Sequence, residues 1–159
     1  MPWLCHLSGM LNESPQTPEV FIHRRVSMAL IIDILRASRE IFYFSTTLNK
    51  LPINDRHALA DTLTYVGGVV KDTFDKLIVG DFPEGNCAQL ELLSQELYHH
   101  LYPVLGINHA RSLSEKLKQT HRMKGLHSEL ILGIIEQREL VLLDEAANHF
   151  SDTAQLLTK

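Results

Sequence analysis

The most constraining feature of this sequence is a long segment in its first third whose apolar residues recur at helical spacing on more than one side. No Gly or Pro occurs between Pro18 and Pro52, so one helix is predicted from an N-cap at Thr17 to about Leu48. Its apolar residues cover an arc of about 200°, roughly twice what a helix with one buried side needs. We designate one side of that arc the interaction face, which consists of Met28, Ile31, Ile32, Leu35 and Phe42. Such a helix is expected to lie in the centre of a bundle or to form a dimer interface.

The second helix has the most regular amphipathic pattern of the chain. It is predicted to begin at a cap formed by Asn54 or Asp55. Its apolar residues follow one another at steps of three and four, and they are Leu59, Leu63, Val66, Val70, Phe74 and Leu77. Gly67 and Gly68 interrupt this helix, which indicates a kink or a close contact with another helix.

Three further helices are predicted from turn residues and apolar spacing. The third begins with a capping-box pattern at Asn86 and ends near Gly106, and the fourth extends from Asn108 to a stop at Gly125. The fifth occupies most of the remainder. Because the apolar residues of 130–143 point in every direction, this helix is expected to be broken there or to be covered by two neighbours.

Strand patterns are nearly absent, so the predicted fold class is all-α. We expect an up-and-down bundle of about five helices that forms a single domain over residues 17–159. Residues 1–16 lack apolar periodicity and are predicted to be a weakly ordered lead.

Composition predicts a soluble, cytoplasmic protein that does not enter a membrane. The longest uncharged apolar run extends only from Met28 to Ile32, whereas a spanning helix needs about 20 such residues. Residues 1–9 lack the basic start of a secretory signal. Cys5 and Cys87 form neither a disulfide framework nor a zinc-binding spacing, so both are expected to be free thiols.

Charge is distributed unevenly in a chain whose formal net charge is −4. Residues 111–124 carry five bases and one acid, whereas the acids outnumber the bases on either side of this segment. Arg111, Lys118 and Arg122 are predicted to form a basic stripe on one helix face, either as solvated charges or as a site for an acidic or phosphate-bearing partner. Nucleic acid is disfavoured as a partner because the remaining surface is acidic and no aromatic residues are interleaved.

The segment His121-Arg122-Met123-Lys124-Gly125 resembles the phosphorylated box of histidine phosphotransfer domains, His-x-Leu-Lys-Gly, which also fold as helical bundles. The resemblance implies that His121 accepts a phosphoryl group, that Lys124 helps to hold it, and that Gly125 lets a response regulator approach. A histidine phosphotransfer module is therefore one alternative function.

The nine histidines raise the question of a metal or haem site. A ferritin-like metal site needs two Glu-x-x-His motifs and one further Glu from each of two other helices. Glu96 and His99 form one such motif, but Glu145 and His149 have a different separation. No metal and no cofactor are predicted, and a metal-binding or haem-binding bundle is the third alternative.

No motif of a hydrolase nucleophile or of a phosphate-binding loop is present in the sequence. The surplus apolar surface of the first helix and of residues 130–143 favours association instead. The sequence therefore predicts a non-enzymatic helical bundle that acts through protein–protein association, as a homodimer or with another protein, in the role of a regulator or adaptor.

Overall fold

The computed structural model describes the backbone of residues 18–118 and 120–159, and the side chains of residues 28–118 and 122–159. Within these residues the elements are α1 (Pro18–Tyr43), α2 (Ser45–Leu48), α3 (Ile53–Ile78), α4 (Glu84–Leu105), α5 (Ile107–Glu115), α6 (Thr120–Ile131), a 3₁₀ helix (Gln137–Leu140) and α7 (Val141–Leu157). This part of the chain contains no strand, so the all-α prediction is confirmed. No helix in it is long and apolar enough to cross a membrane. The predicted lead over residues 1–16, the Thr17 cap and Cys5 lie outside the described residues.

The core is built around the C-terminal helix α7, which packs against both α1 and α3. The α3 helix is antiparallel to α7, because Gly67 lies beside Ala147 while Lys71, one turn later, binds Asp144. The buried side of α7 contains mostly small and aliphatic residues around one large ring, and these are Leu143, Ala146, Ala147, Phe150, Ala154 and Leu157. The small side chains allow the neighbouring helices to approach closely.

The wide apolar arc of α1 is buried inside the same chain. Its side chains at Leu30, Ile31 and Ile41 are almost fully buried, because α7 packs on one side of α1 and α6 packs on another. The central position that the sequence allowed is therefore the observed one. The helix ends at Tyr43 rather than at Leu48. A turn at Phe44 then leads into the short α2.

Gly67 marks a close helix contact, which was one of the two predictions for the glycine pair. A Cβ atom at this position would lie 2.7 Å from the Ser151 hydroxyl oxygen and 3.1 Å from the Ala147 carbonyl oxygen of α7. At Gly68 a Cβ would meet no described atom within 4 Å. The contact between α3 and α7 therefore requires a glycine at the first position only.

Asn86 is not the helix cap that the sequence predicted. The α4 helix begins at Glu84, and Asn86 lies buried inside it. Its side-chain amide donates to the Thr73 hydroxyl at 3.1 Å and to the Asp72 carboxylate at 3.0 Å, and its oxygen accepts from Lys76 at 2.8 Å. The Asn86 hydrogen bond, followed by the Lys76 ammonium, lowers the pKa of Asp72. A polar residue that resembled a cap thus joins α4 to α3.

The predicted fourth helix, from Asn108 to Gly125, was wrong, since the structure has two helices there. The chain leaves α5 after Glu115 through a tight turn, in which Lys118 N–H donates to the Glu115 carbonyl. Leu117 is buried at this turn. Gly125 lies within α6 and does not end it.

The fifth predicted helix is broken, which was one of the two expectations for residues 130–143. The α6 helix ends at Ile131, and Gly133 follows with a φ of +75°, a conformation that glycine adopts without strain. The 3₁₀ helix then leads directly into α7, and a capping box at Glu136 starts it. The start of α3 also differs slightly from the prediction, because Pro52 occupies its N-cap position.

A charged joint connects α1 to α7. The Arg39 guanidinium binds the Glu145 carboxylate at 2.8 Å, and the same carboxylate lies 3.5 Å from the His149 ring. The hydrogen bond from Arg39 is the largest cause of the lowered pKa of Glu145. This joint lies beside the buried α1–α7 contact and fixes the register of the two helices.

The glycine pair predicts opposite effects from two adjacent substitutions. Gly68→Ala should stabilise the fold by about 1 kcal/mol, because alanine favours a helix and the site has room. Gly67→Ala should destabilise it by about 1–3 kcal/mol, because the new methyl group forces α7 away. Urea unfolding of both variants measures the difference, and equal effects would contradict the close contact.

The Arg39–Glu145 joint predicts a pH-dependent effect of Glu145→Gln. The pKa of Glu145 is lower in the folded chain than its ordinary value of 4.5. The ionised carboxylate therefore stabilises the fold at neutral pH, and this contribution is lost as the pH falls through the lowered pKa. The carboxylate is partly exposed, so the contribution is at most about 1 kcal/mol. Urea unfolding should separate wild type from variant at neutral pH and not in strong acid. Asp61→Asn, at an exposed acid of α3, is the control, and a gap that persists in acid would refute the assignment.

Candidate interaction surfaces

The residues of the predicted interaction face do not form a surface. Met28, Ile31, Ile32 and Leu35 are at most 6% exposed and belong to the interior of the chain. Phe42 is 42% exposed, and its ring lies 6.2 Å from that of His149. The apolar excess that favoured a dimer interface on α1 is covered by α6 and α7, so any interface must use other residues.

The three bases of the predicted stripe do not share one helix face, because the turn after Glu115 separates them. Arg111 lies on α5, Lys118 in the turn and Arg122 on α6. Arg122 binds the Asp33 carboxylate at 3.0 Å, and both side chains are partly buried. Arg122 therefore holds α6 against α1, whereas Arg111 and Lys118 remain at the surface.

Arg111 and Lys118 border a hollow of about 280 Å³ between α4 and α5. We call this hollow the cationic groove, and it is lined by Ser94, Gln95, Tyr98, His99, Arg111, Ser114, Glu115 and Lys118. Gly106 connects the two helices with a φ of +87°, which lets the chain reverse sharply between them. The groove is thus a consequence of a short helical hairpin.

Aromatic rings form part of the α4 wall of the groove. The Tyr98 and Tyr102 rings stack with centroids 5.6 Å apart and planes inclined by 19°. The His99 ring meets Tyr98 edge-on at 5.5 Å. The sequence did not predict this arrangement, because residues 111–124 contain no tyrosine, phenylalanine or tryptophan and the rings come from another helix. The signal was a pair of tyrosines four residues apart, which helical spacing places on one side of α4.

The charged groups of the groove differ in how they are bound. Lys118 lies 3.6 Å from the Glu91 carboxylate, a long ion pair at the surface. The Arg111 guanidinium forms no hydrogen bond or ion pair with any residue that the structure describes. The Ser94 and Ser114 hydroxyls donate to the carbonyls of Glu91 and Arg111, so they can only accept from a ligand. The strongest hydrogen-bond donors of the groove are therefore cationic.

A second surface lies where α3 and α6 end and α7 begins. We call it the apolar end, and its exposed side chains are Val79, Ile131, Leu132 and Val141, which are 70%, 64%, 72% and 55% exposed. They combine an unusual degree of exposure with purely aliphatic chemistry.

Two hydrogen bonds bring the parts of the apolar end together. The Gln137 amide donates to the Ile78 carbonyl at 2.8 Å, and the His127 ring lies 2.9 Å from the Gly80 carbonyl. Val79 is thus held between the 3₁₀ helix and α6. Ile131 follows His127 by four residues in α6, so helical spacing places it on the side that faces this region. Val141 begins α7 directly after the 3₁₀ helix.

The side chain of His121, the predicted phosphoacceptor, lies outside the described residues. Lys124 is exposed on α6, and a Cβ at Gly125 would meet no described atom within 4 Å. The phosphotransfer role of these residues stays a prediction.

Metal ligands do not cluster in the described part of the chain, where no group of three or more His, Cys, Asp or Glu side chains could hold an ion. Glu96 and His99 lie on the outer surface of α4. Cys87 is a free thiol buried in the first turn of α4, and burial raises its pKa. A raised pKa disfavours the reactive thiolate.

Comparison with family models, with curated proteins and with solved structures finds no match for this chain. The evidence for its function therefore lies in its own surfaces. Two of them are distinctive in chemistry, the cationic groove and the apolar end.

The burial of the predicted interaction face is tested by Ile31→Ala. The substitution should lower the free energy of unfolding by about 2–5 kcal/mol, because it leaves a cavity between α1 and its neighbours. Phe42→Ala, at the exposed member of the same set, should cost about 1 kcal/mol or less. Thermal and urea unfolding measure both. Equal, small effects would show that Ile31 does not lie in the core.

Proposed function

We propose that this protein is a non-enzymatic helical bundle that acts through protein–protein association, as a homodimer joined at the apolar end, in the role of a regulator or adaptor. The observation that carries the proposal is the exposure of four aliphatic side chains, each more than half accessible, around one end of the bundle. Larger contiguous apolar patches on a protein surface mark interaction sites.

Burial of the apolar end would provide the driving force for association. Covering one aliphatic side chain completely contributes about 1.5–3 kcal/mol, and a symmetric dimer covers the same set twice. Association costs several kcal/mol in lost freedom of motion, so most of the set must be covered for a stable dimer. Leu132, which is the most exposed of the four, is expected to contribute most.

A second copy of the chain fits this end because its margin carries both signs of charge. Arg138 and Glu136 form an ion pair at 2.5 Å beside the apolar residues, and Asp81 follows Gly80. In a two-fold dimer each surface meets its own copy, so a margin of one sign would repel itself whereas a mixed margin can pair.

The homodimer is tested by Leu132→Asp, which places a charge in the proposed interface. Sedimentation equilibrium should give twice the chain mass of 18.1 kDa for the wild type and about the chain mass for the variant. Leu92→Asp is the matched control, because Leu92 is 64% exposed on α4, away from the apolar end, and this variant should remain dimeric. A wild type that stays monomeric at high micromolar concentration would refute the proposal, and so would equal disruption by both variants.

A further inference from the structure

The cationic groove has a chemical character that the packing of the bundle does not explain. Three other bases serve the fold, since Arg39, Lys71 and Arg122 each bind a carboxylate on a different helix. Arg111 has no such partner among the described residues, although α5 carries it to the edge of a hollow. A guanidinium at the edge of a hollow can donate hydrogen bonds to a group from outside the chain.

The charges of the groove favour an anion. Arg111 and Lys118 are cationic, and Glu115 supplies the carboxylate among the described lining residues. Lys118 is held only by a long ion pair with Glu91 at 3.6 Å, which a second carboxylate could replace. The planar guanidinium of Arg111 can bind both oxygens of a carboxylate or phosphate through two parallel hydrogen bonds.

The rings beside these cations favour an anion that is attached to other groups. Tyr98 lines the groove and is stacked on Tyr102, so its ring is held in place and can pack against an apolar or aromatic neighbour of the anion. A second hollow of about 380 Å³ also touches Arg111, but it is lined by Asn108, Ser112, Glu115 and Lys116 and has no ring. The second hollow therefore lacks the ring that accompanies Arg111 in the cationic groove.

The acidic net charge of the protein favours a peptide over a nucleic acid as the macromolecule that carries the anion. A nucleic acid requires a track of cations, whereas the groove offers two, and the net charge of −4 repels a polyanion elsewhere. A short peptide places one or two carboxylates locally and leaves the rest of the surface uncovered. A hollow of about 280 Å³ has the size of one or two side chains rather than of a larger ligand.

From these observations we infer that the cationic groove binds an acidic segment of another protein, with a Glu or Asp carboxylate on Arg111 and an adjacent apolar or aromatic side chain against Tyr98. Lys118 strengthens the attraction by exchanging Glu91 for the incoming acid. The inference does not depend on the homodimer, because the groove between α4 and α5 and the apolar end use different residues.

Binding is measured by fluorescence anisotropy with a labelled peptide in which two glutamates stand on each side of a phenylalanine. Arg111→Gln should weaken the affinity roughly tenfold or more, because a charge-assisted bidentate contact is lost at an exposed site where folding is not affected. Tyr98→Ala and Lys118→Gln should weaken it by several fold. Lys124→Gln is the matched control, since Lys124 is an exposed base of the same charged segment on α6, and its affinity should not change.

Four results would overturn the inference. The first is the absence of peptide binding at low salt, and the second is an equal affinity of the wild type and Arg111→Gln for the peptide. The third is equal affinity of the wild type for a peptide with glutamine in place of glutamate, and the fourth is tighter binding of a short oligothymidine than of the peptide. The Leu132→Asp variant should bind the peptide as the wild type does. A failure of the peptide experiment is therefore distinguishable from a failure of the homodimer.

Discussion

The contact of α7 with α1 and α3 is the interaction on which the other features of this fold depend. Gly67 lets α3 approach the Ala147 carbonyl of α7 closely, and Phe150 is fully buried nearby. On its other side α7 packs on α1 and is held in register by the joint of Arg39 with Glu145. Because α4, α5 and α6 lie between α3 and α7 in the chain, the core depends on contacts between segments that are distant in the sequence.

This arrangement determines which surfaces remain for function. The apolar side of α1 is used for the core, and Arg122 is used to hold α6 in place through Asp33. The four aliphatic side chains of the apolar end lie around one end of the bundle. Arg111 and Lys118 of the cationic groove lie on α5 and in the turn after it, at the side of the central helices. Association at one end and recognition of an acidic partner at the groove could therefore operate without disturbing the core.

The helical class followed from the sequence, because apolar spacing reports local geometry directly. The close contact at Gly67 and the break after residue 130 were each one of two alternatives that the sequence left open. Other features depended on contacts between distant segments. The apolar spacing of Ile31 and its neighbours is the same whether α6 or a second copy of the chain covers them. The residues around Asn86 are likewise the same whether it caps a helix or links α4 to α3. The groove required the turn after Glu115, which sequence spacing did not indicate because charged residues on both sides suit a continuous helix.

Native-state hydrogen exchange tests the central role of α7 most directly, because it reports the free energy of opening for each helix separately. Amides at the middle of α7, of α1 over residues 30–41 and of α3 near Gly67 should exchange most slowly and open together in one global event. Amides of α5 and of the turn after it should open at a lower free energy. Early exchange of α7, while α4 and α5 remain protected, would show that α7 is not the centre of the core.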